Sequence, residues 1–232
     1  KVQGIIKGRY FRKNFNKETF NINDEEEDLT SYKHITTDKI KQKELEDLFT
    51  LYPPLNDGVE VEVRSPAQFN NKVIYFGEWD KANNLRHGRG IQLWLDGAKF
   101  IGCWKNGKAC GKGKLIHADG DLYDGDWVDD KPSGYGIYIH SDGTKYDGEW
   151  KDDKQNGKGK EVWPDGTSYE GDYVDGKKQG YGIFKWSDQS MYKGLFENNN
   201  IHGKGVYTFA DGRQYDGEWK NNKLDGKGGN GG

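Results

Sequence analysis

Apolar and polar positions alternate over short runs through most of this chain. In Tyr146–Trp150, Tyr146, Gly148 and Trp150 fall on one side while Asp147 and Glu149 fall on the other, the pattern of a half-buried strand. The polar stretch Lys151–Asn156 reads as a loop. Gly157-x-Gly159 and a second alternating run follow, and Trp163-Pro164-Asp165-Gly166 turns the chain. Asp-Gly suits a hairpin turn because it tolerates positive φ. The unit is a two-stranded hairpin.

Its aromatic-x-Gly-x-aromatic opening recurs at Tyr75–Trp79, Phe100–Trp104, Tyr123–Trp127, Tyr146–Trp150, Tyr169–Tyr173, Tyr192–Phe196 and Tyr215–Trp219, with a first step of 25 residues and later steps of 23. So regular a period implies a repeat architecture. The predicted fold is mostly β, an elongated single-layer antiparallel meander of hairpins preceded by short N-terminal helices.

Two further columns carry rings. Four residues after the second glycine come Trp94, His117, His140, Trp163, Trp186 and Phe209, and two positions earlier come Gln92, Leu115, Tyr138, Glu161, Phe184 and Tyr207. A lone hairpin cannot hide such rings, but stacked neighbours can. A glycine between two aromatics lets another group approach the backbone, and the expected visitor is a ring from the adjacent copy. The candidate ladder and partner-binding positions are therefore Tyr75, Trp79, Trp94, Trp104, Tyr123, Trp127, Tyr146, Trp150, Trp163, Tyr169, Trp186, Tyr192, Tyr215 and Trp219.

The pattern Y-x-G-x-W, G-x-G, D-G resembles the MORN repeat, most closely in YDGEWKDDKQNGKG and YEGDYVDGKKQGYG. The resemblance covers Tyr75 to the C-terminus in seven copies, the last cut off after Gly228, with a half copy before them. Phe100 in place of the opening Tyr, and Asp188-Gln189 without the turn glycine, are the departures. The ending Gly-Gly-Asn-Gly-Gly and the start at Lys1 without Met suggest a fragment of something longer.

Three segments are predicted. Residues 1–23 carry six basic residues and one acid. Within them Val2, Gln3, Ile6, Lys7, Gly8 and Arg12 follow the spacing of an IQ motif, and that resemblance implies a calmodulin-binding helix with calmodulin, centrin or a similar light chain as partner. The alternative is a basic amphipathic helix lying on the acidic run Asp24–Asp28 or on a membrane surface. Residues 24–58 hold that run and an amphipathic helix, Asp38–Tyr52, with Ile40, Leu45, Leu48, Phe49 and Tyr52 on one stripe. Asp38 caps its start, Pro53-Pro54 stop it, and the open first edge of the sheet is its expected seat. Residues 59–232 are the repeat sheet, opened by a half copy over Val59–Phe69.

Composition narrows the function. The 232 residues carry net charge −3, 32% hydrophobic residues and 34 glycines, which suits a thin stack with an aromatic spine. No apolar run approaches the ~20 residues of a membrane span. Cys103 and Cys110 read as reduced thiols of a cytoplasmic protein. The acidic run Asp119–Asp126 places Tyr123 and Asp124 where a calcium loop needs an oxygen ligand and a glycine. His117 and His140 occupy a column of rings, and the glycine pairs lack a phosphate-loop context. No metal, cofactor, nucleic-acid or catalytic site is expected, so the chain is read as a non-enzyme.

The favoured function is a protein–protein scaffold in a ciliary, axonemal or other cytoskeletal assembly. The resemblance also allows a targeting module of a larger enzyme, or a phospholipid-tethering module. From Tyr75 onward 23 basic and 25 acidic side chains nearly balance, which disfavours anionic lipid.

Overall fold

The computed structural model describes residues 33–34, 42–69 and 72–231. Among them are one helix, α1 (Gln42–Leu51), and a 16-stranded antiparallel meander whose strand order is the chain order. The chain forms two compact units, one ending at Gly136 and the other beginning at Ile137. The IQ-like segment, the acidic run and Asp38 lie outside the described residues.

The N-terminal unit contains β1 (Lys33–His34), β2 (Val61–Gln68), β3 (Ile74–Asp80), β4 (Arg86–Leu93), β5 (Lys99–Lys105), β6 (Lys108–Ile116) and β7 (Leu122–Val128). The C-terminal unit contains β9 (Lys145–Lys151), β10 (Lys154–Val162), β11 (Ser168–Val174), β12 (Lys177–Lys185), β13 (Met191–Glu197), β14 (Asn200–Thr208), β15 (Gln214–Lys220) and β16 (Lys223–Gly231). The unit boundary falls within β8 (Lys131–Ile139).

One copy shows why each hairpin closes. Tyr146, Gly148 and Trp150 are buried on β9 while Glu149 and Lys151 are exposed. The polar stretch read as a six-residue loop is a two-residue turn: Lys151 pairs with Lys154, and Asp152 and Asp153 both take positive φ, 47° and 70°. That is type I′ geometry, which matches the twist of the flanking strands. Gly157, at φ 105°, absorbs a bulge between Gln155 and Gly159. The connection to the next copy is a three-residue loop in which Gly166 N–H donates to Trp163 O and Trp163 N–H to Thr167 O. Asp165 accepts from the Thr167 N–H at 3.0 Å.

The turns also tie copies together. Asn199 donates its N–H to Lys178 O, and its Oδ1 accepts from Lys178 N–H. Asn222 repeats this reciprocal pair with Ile201, and Asp130 with Ala109.

Contrary to the expected seat, α1 does not cover the first edge. It lies on a face of the sheet, where Leu48 and Ile91 are fully buried and Leu45, Phe49, Tyr52, Phe76, Leu93 and Ile101 close around them. The edge strand β2 is instead paired by β1, through Lys33↔Gln68 and His34↔Ala67. The helix stripe needs an apolar seat rather than backbone partners, and Phe76, Ile91 and Ile101 supply one.

Candidate interaction surfaces

The two faces of each unit differ in chemistry. On the ring face the aromatics form an edge-to-face zigzag. In the C-terminal unit Tyr146 meets its own Trp150 and the next copy's Tyr173, both at 5.2 Å between centroids and 87° between planes. Tyr169 continues to Tyr173 and Phe196, and Tyr192 to Phe196 and Trp219. The N-terminal unit repeats the motif from Tyr75–Trp79 through Phe100 to Tyr123–Trp127. Each contact contributes ~0.5–1.5 kcal/mol beyond its buried area. Buried polar tips reach backbone carbonyls: Tyr146 Oη donates to Glu149 O, and Trp127 Nε1 donates to Gly113 O, each at 2.9 Å. Burial pushes the Tyr75 and Tyr169 phenols well up.

The glycines sit differently from the expectation. A Cβ on Gly148 would stand 2.5 Å from Gly159 Cα and 2.7 Å from Tyr146 Oη, so the covering ring is the copy's own tyrosine. At Gly113 a neighbour's ring also enters, Trp127 Cδ1 at 3.2 Å. The strict glycine pairing Gly148↔Gly159 lets the ring lie across two strands.

The ladder holds two caged cations that the sequence reading passed over. Lys178 Nζ pairs with Glu161 Oε2 at 2.8 Å and lies 5.1 Å from the Trp163 and Tyr169 ring centroids, while Tyr173 Oη donates to the same carboxylate oxygen. Arg86 holds the corresponding place in the first copy, 4.7 Å above Trp104 and bonded to Gln92. The signal was present as polar Gln92 and Glu161 in a column of rings and a cation two residues before Gly88 and Gly180.

The opposite, charge face is closed in several copies by cross-strand ion pairs: Lys112–Asp126 and Lys114–Asp124 in one unit, Lys158–Asp172 and Lys160–Glu170 in the other. In the first copy the segment from α1 to Asp57 straps this face. Glu44 pairs with Lys99, Arg89 stacks on Phe49 at 4.9 Å, and Cys103 Sγ donates to Pro53 O. Asp57 pairs with His87 and Lys105 at 3.1 and 3.2 Å. Partial burial pushes the Asp57 carboxyl up, but the Lys105 ammonium, the Val59 N–H and the His87 ring together hold it below its ordinary value.

Of the candidate positions, Tyr75, Trp79, Trp104, Tyr123, Tyr146, Tyr169 and Tyr192 are fully buried. Trp127, Trp150, Trp163, Trp186 and Trp219 are nearly so, and Trp94 and Tyr215 are half-buried. The two cysteines are free thiols. Asp119 caps its own turn by accepting from the Asp121 N–H. Among the described residues no helix is long and apolar enough to cross a membrane, and no group of three or more His, Cys, Asp or Glu side chains could hold a metal ion.

A family model described as the MORN repeat matches residues 75–99, 100–122, 123–145, 146–168, 169–191, 192–212 and 215–228. Comparison with curated proteins gives no significant match. Among solved structures, the TCP10c domain of Drosophila melanogaster Sas-4 is similar with 11% identity over 69% of this chain and 100% of that chain, TM-score 0.38. The Drosophila SAS-4 (dCPAP) TCP domain in complex with a proline-rich motif of Ana2 (dSTIL) has 11% identity over 56% and 72%, TM-score 0.38. Similarity at this level carries nothing over to the present chain.

Proposed function

The chain belongs to the MORN repeat family, and from that premise we propose that it is a non-catalytic protein–protein interaction scaffold of a ciliary or cytoskeletal assembly. Residues 2–12 hold a calmodulin-like light chain and the hairpin array holds other proteins of the assembly. The supporting observation is the strap: the sheet already binds an amphipathic helix, α1, on the charge face of its first copy, with Leu48 fully buried against Ile91. Helix-on-sheet recognition is thus a capacity of this surface, and each copy presents the same positions with different side chains. The rings Tyr75–Trp219 act by holding the two faces rigid, while Trp94 and Phe209 at the turns remain accessible to a partner.

The experiment is affinity capture of the full chain from its own cells, with and without calcium, followed by crosslinking to locate contacts. Axonemal or other cytoskeletal proteins crosslinked to the hairpins support the scaffold. A catch of membrane vesicles alone, or of one catalytic subunit alone, overturns it.

A further inference from the structure

The charge face repeats the composition of its helix-covered block in a second place. Under α1, strands β4 and β5 oppose three cross-strand pairs: Arg89↔Cys103, Ile91↔Ile101 and Leu93↔Lys99. At the equivalent register β12 and β13 oppose Tyr181↔Leu195, Ile183↔Lys193 and Lys185↔Met191. Each block has four apolar side chains and two cations. Of the blocks between them, β6 with β7 has Lys112↔Asp126 and Lys114↔Asp124, and β10 with β11 has Lys158↔Asp172, Lys160↔Glu170 and Val162↔Ser168, and in both the lysines are neutralised in place. The pair β14 with β15 likewise sets Lys204 against Glu218 and Val206 against Asp216.

The two matching blocks differ in cover. Ile91 is fully buried under the helix, whereas Tyr181 and Leu195 are 53% and 42% exposed and lie side by side. The cations differ too. Lys99 is met by Glu44 of α1, and Arg89 by Glu78 of β3 beneath the Phe49 ring. Lys193 stands between Ile183 and Val206, and Lys185 between Ser168 and Met191, so neither has an acid opposite it. Exposed apolar side chains rimmed by charge mark an interaction site, and unneutralised lysines at that rim select an acidic occupant.

We propose that the Tyr181–Leu195 block of the charge face docks an acidic amphipathic helix of a partner protein, in the manner of α1 on the first copy. Apolar residues at i, i+3, i+4 and i+7 of that helix would cover Tyr181, Ile183 and Leu195. Its acidic residues would pair with Lys185 and Lys193. The proposal rests on the reading of the array as a protein scaffold and names one partner class and its place.

The probe is a fluorescein-labelled peptide of residues 42–54, which carries the acidic amphipathic sequence of α1, titrated against the full chain by anisotropy. In the full chain the β4–β5 block is occupied by the chain's own α1, so the β12–β13 block is the free seat. The double variant Tyr181→Lys, Leu195→Asp installs the charge pair found natively at Lys158 and Asp172, so folding is preserved. Binding should weaken at least about tenfold in this variant, and likewise for a peptide with Glu44→Gln, Glu46→Gln and Asp47→Asn. Unchanged binding in the double variant overturns the site, and unchanged binding of the neutral peptide overturns the acidic assignment.

Two other readouts compete. Dimerisation of the full chain in sedimentation velocity, lost in the double variant, would make the occupant a second copy. Co-sedimentation with phosphatidylserine vesicles without peptide binding would make it a membrane. Either overturns the proposal. Cellular capture in which the variant keeps its cytoskeletal partners sinks this site alone, whereas capture of vesicles only sinks the scaffold reading itself.

Discussion

A methyl group added to Gly148 would stand 2.5 Å from Gly159 Cα and 2.6 Å from Lys158 O, both backbone atoms of the paired strand that cannot step aside cheaply. Gly148→Ala should therefore cost ~1–3 kcal/mol by over-packing, whereas Asp147→Ala on the other face should stay within ~0.5 kcal/mol. Urea denaturation of the two variants compares them directly, and equal losses would remove the close-packing explanation. The caged lysine allows a sharper contrast. Glu161 is 2% exposed and Lys178 is its ion partner, so Lys178→Met strands a buried carboxylate and should cost ~3–5 kcal/mol. The next copy shows the apolar solution at the same columns, with Ile201 and Phe184 both buried. The double variant Lys178→Ile, Glu161→Phe should accordingly restore most of that loss or exceed the parent in thermal unfolding. A double variant no more stable than Lys178→Met would mean that the cage is not interchangeable with its neighbour's packing. These residues could have been singled out beforehand, because a lone acid in a column of rings breaks the repeat's own rule. What no single copy reveals is that the partner lies 17 positions later, in the following hairpin.

The hairpin as an element was legible almost whole. Alternation gave both strands and their buried faces, and the period gave the meander, because each signal lies within a few consecutive residues. The turns were not. Asp152-Asp153 at positive φ is an uncommon choice for a type I′ turn, so Lys151–Asn156 looked like open loop. The reason emerges only from the neighbour, since the second turn residue bonds back to the preceding copy, as Asn222 Oδ1 does to the Ile201 N–H at 2.7 Å. The seat of α1 was misplaced for a similar reason: the apolar stripe was visible, but Ile91 and Ile101 as its floor depended on which way β4 and β5 faced. The strap can be tested on both of its anchors. Leu48→Ala removes the buried centre and should cost ~2–5 kcal/mol of docking stability, read as faster hydrogen exchange in Gln42–Leu51 with β13 and β14 unchanged. Asp57 anchors the far end, and its carboxyl is held below the ordinary value by Lys105, Val59 and His87. A depressed carboxylate stabilises fully above its unfolded value of ~3.9 and loses that contribution as pH falls through the lower folded value. Acidification from about pH 5 to about pH 2 should thus loosen the strap, seen as movement of the Leu48 methyl resonances. Asp57→Asn should already be loose at the upper end and show a flatter profile. An identical profile in parent and variant would acquit Asp57.

At the scale of the whole chain, charge is divided unevenly. From Tyr75 onward 23 basic and 25 acidic side chains are interleaved, while residues 1–23 hold six basic residues against one acid. The array was recognisable from sequence because every copy votes for the same rule, and the partners were not, because each copy's differences are single residues. An acidic light chain would be drawn to residues 1–23 by charge alone, so affinity by itself does not test the motif. The discriminating change keeps the charge and removes the geometry. In Gln3→Ala with Arg12→Lys, net charge is constant, the glutamine amide is lost, and a planar five-donor fork becomes a point charge. We expect the full chain to bind calmodulin, with or without calcium, and the double variant to bind at least about tenfold more weakly by calorimetry. The salt dependence should also separate the two mechanisms. Diffuse attraction weakens throughout as the screening length falls from ~10 Å at 0.1 M to ~3 Å at 1 M, whereas a seated helix retains its apolar contacts through Val2 and Ile6. If parent and variant bind equally at low salt and both release at high salt, residues 2–12 are a basic tail and no light chain belongs there.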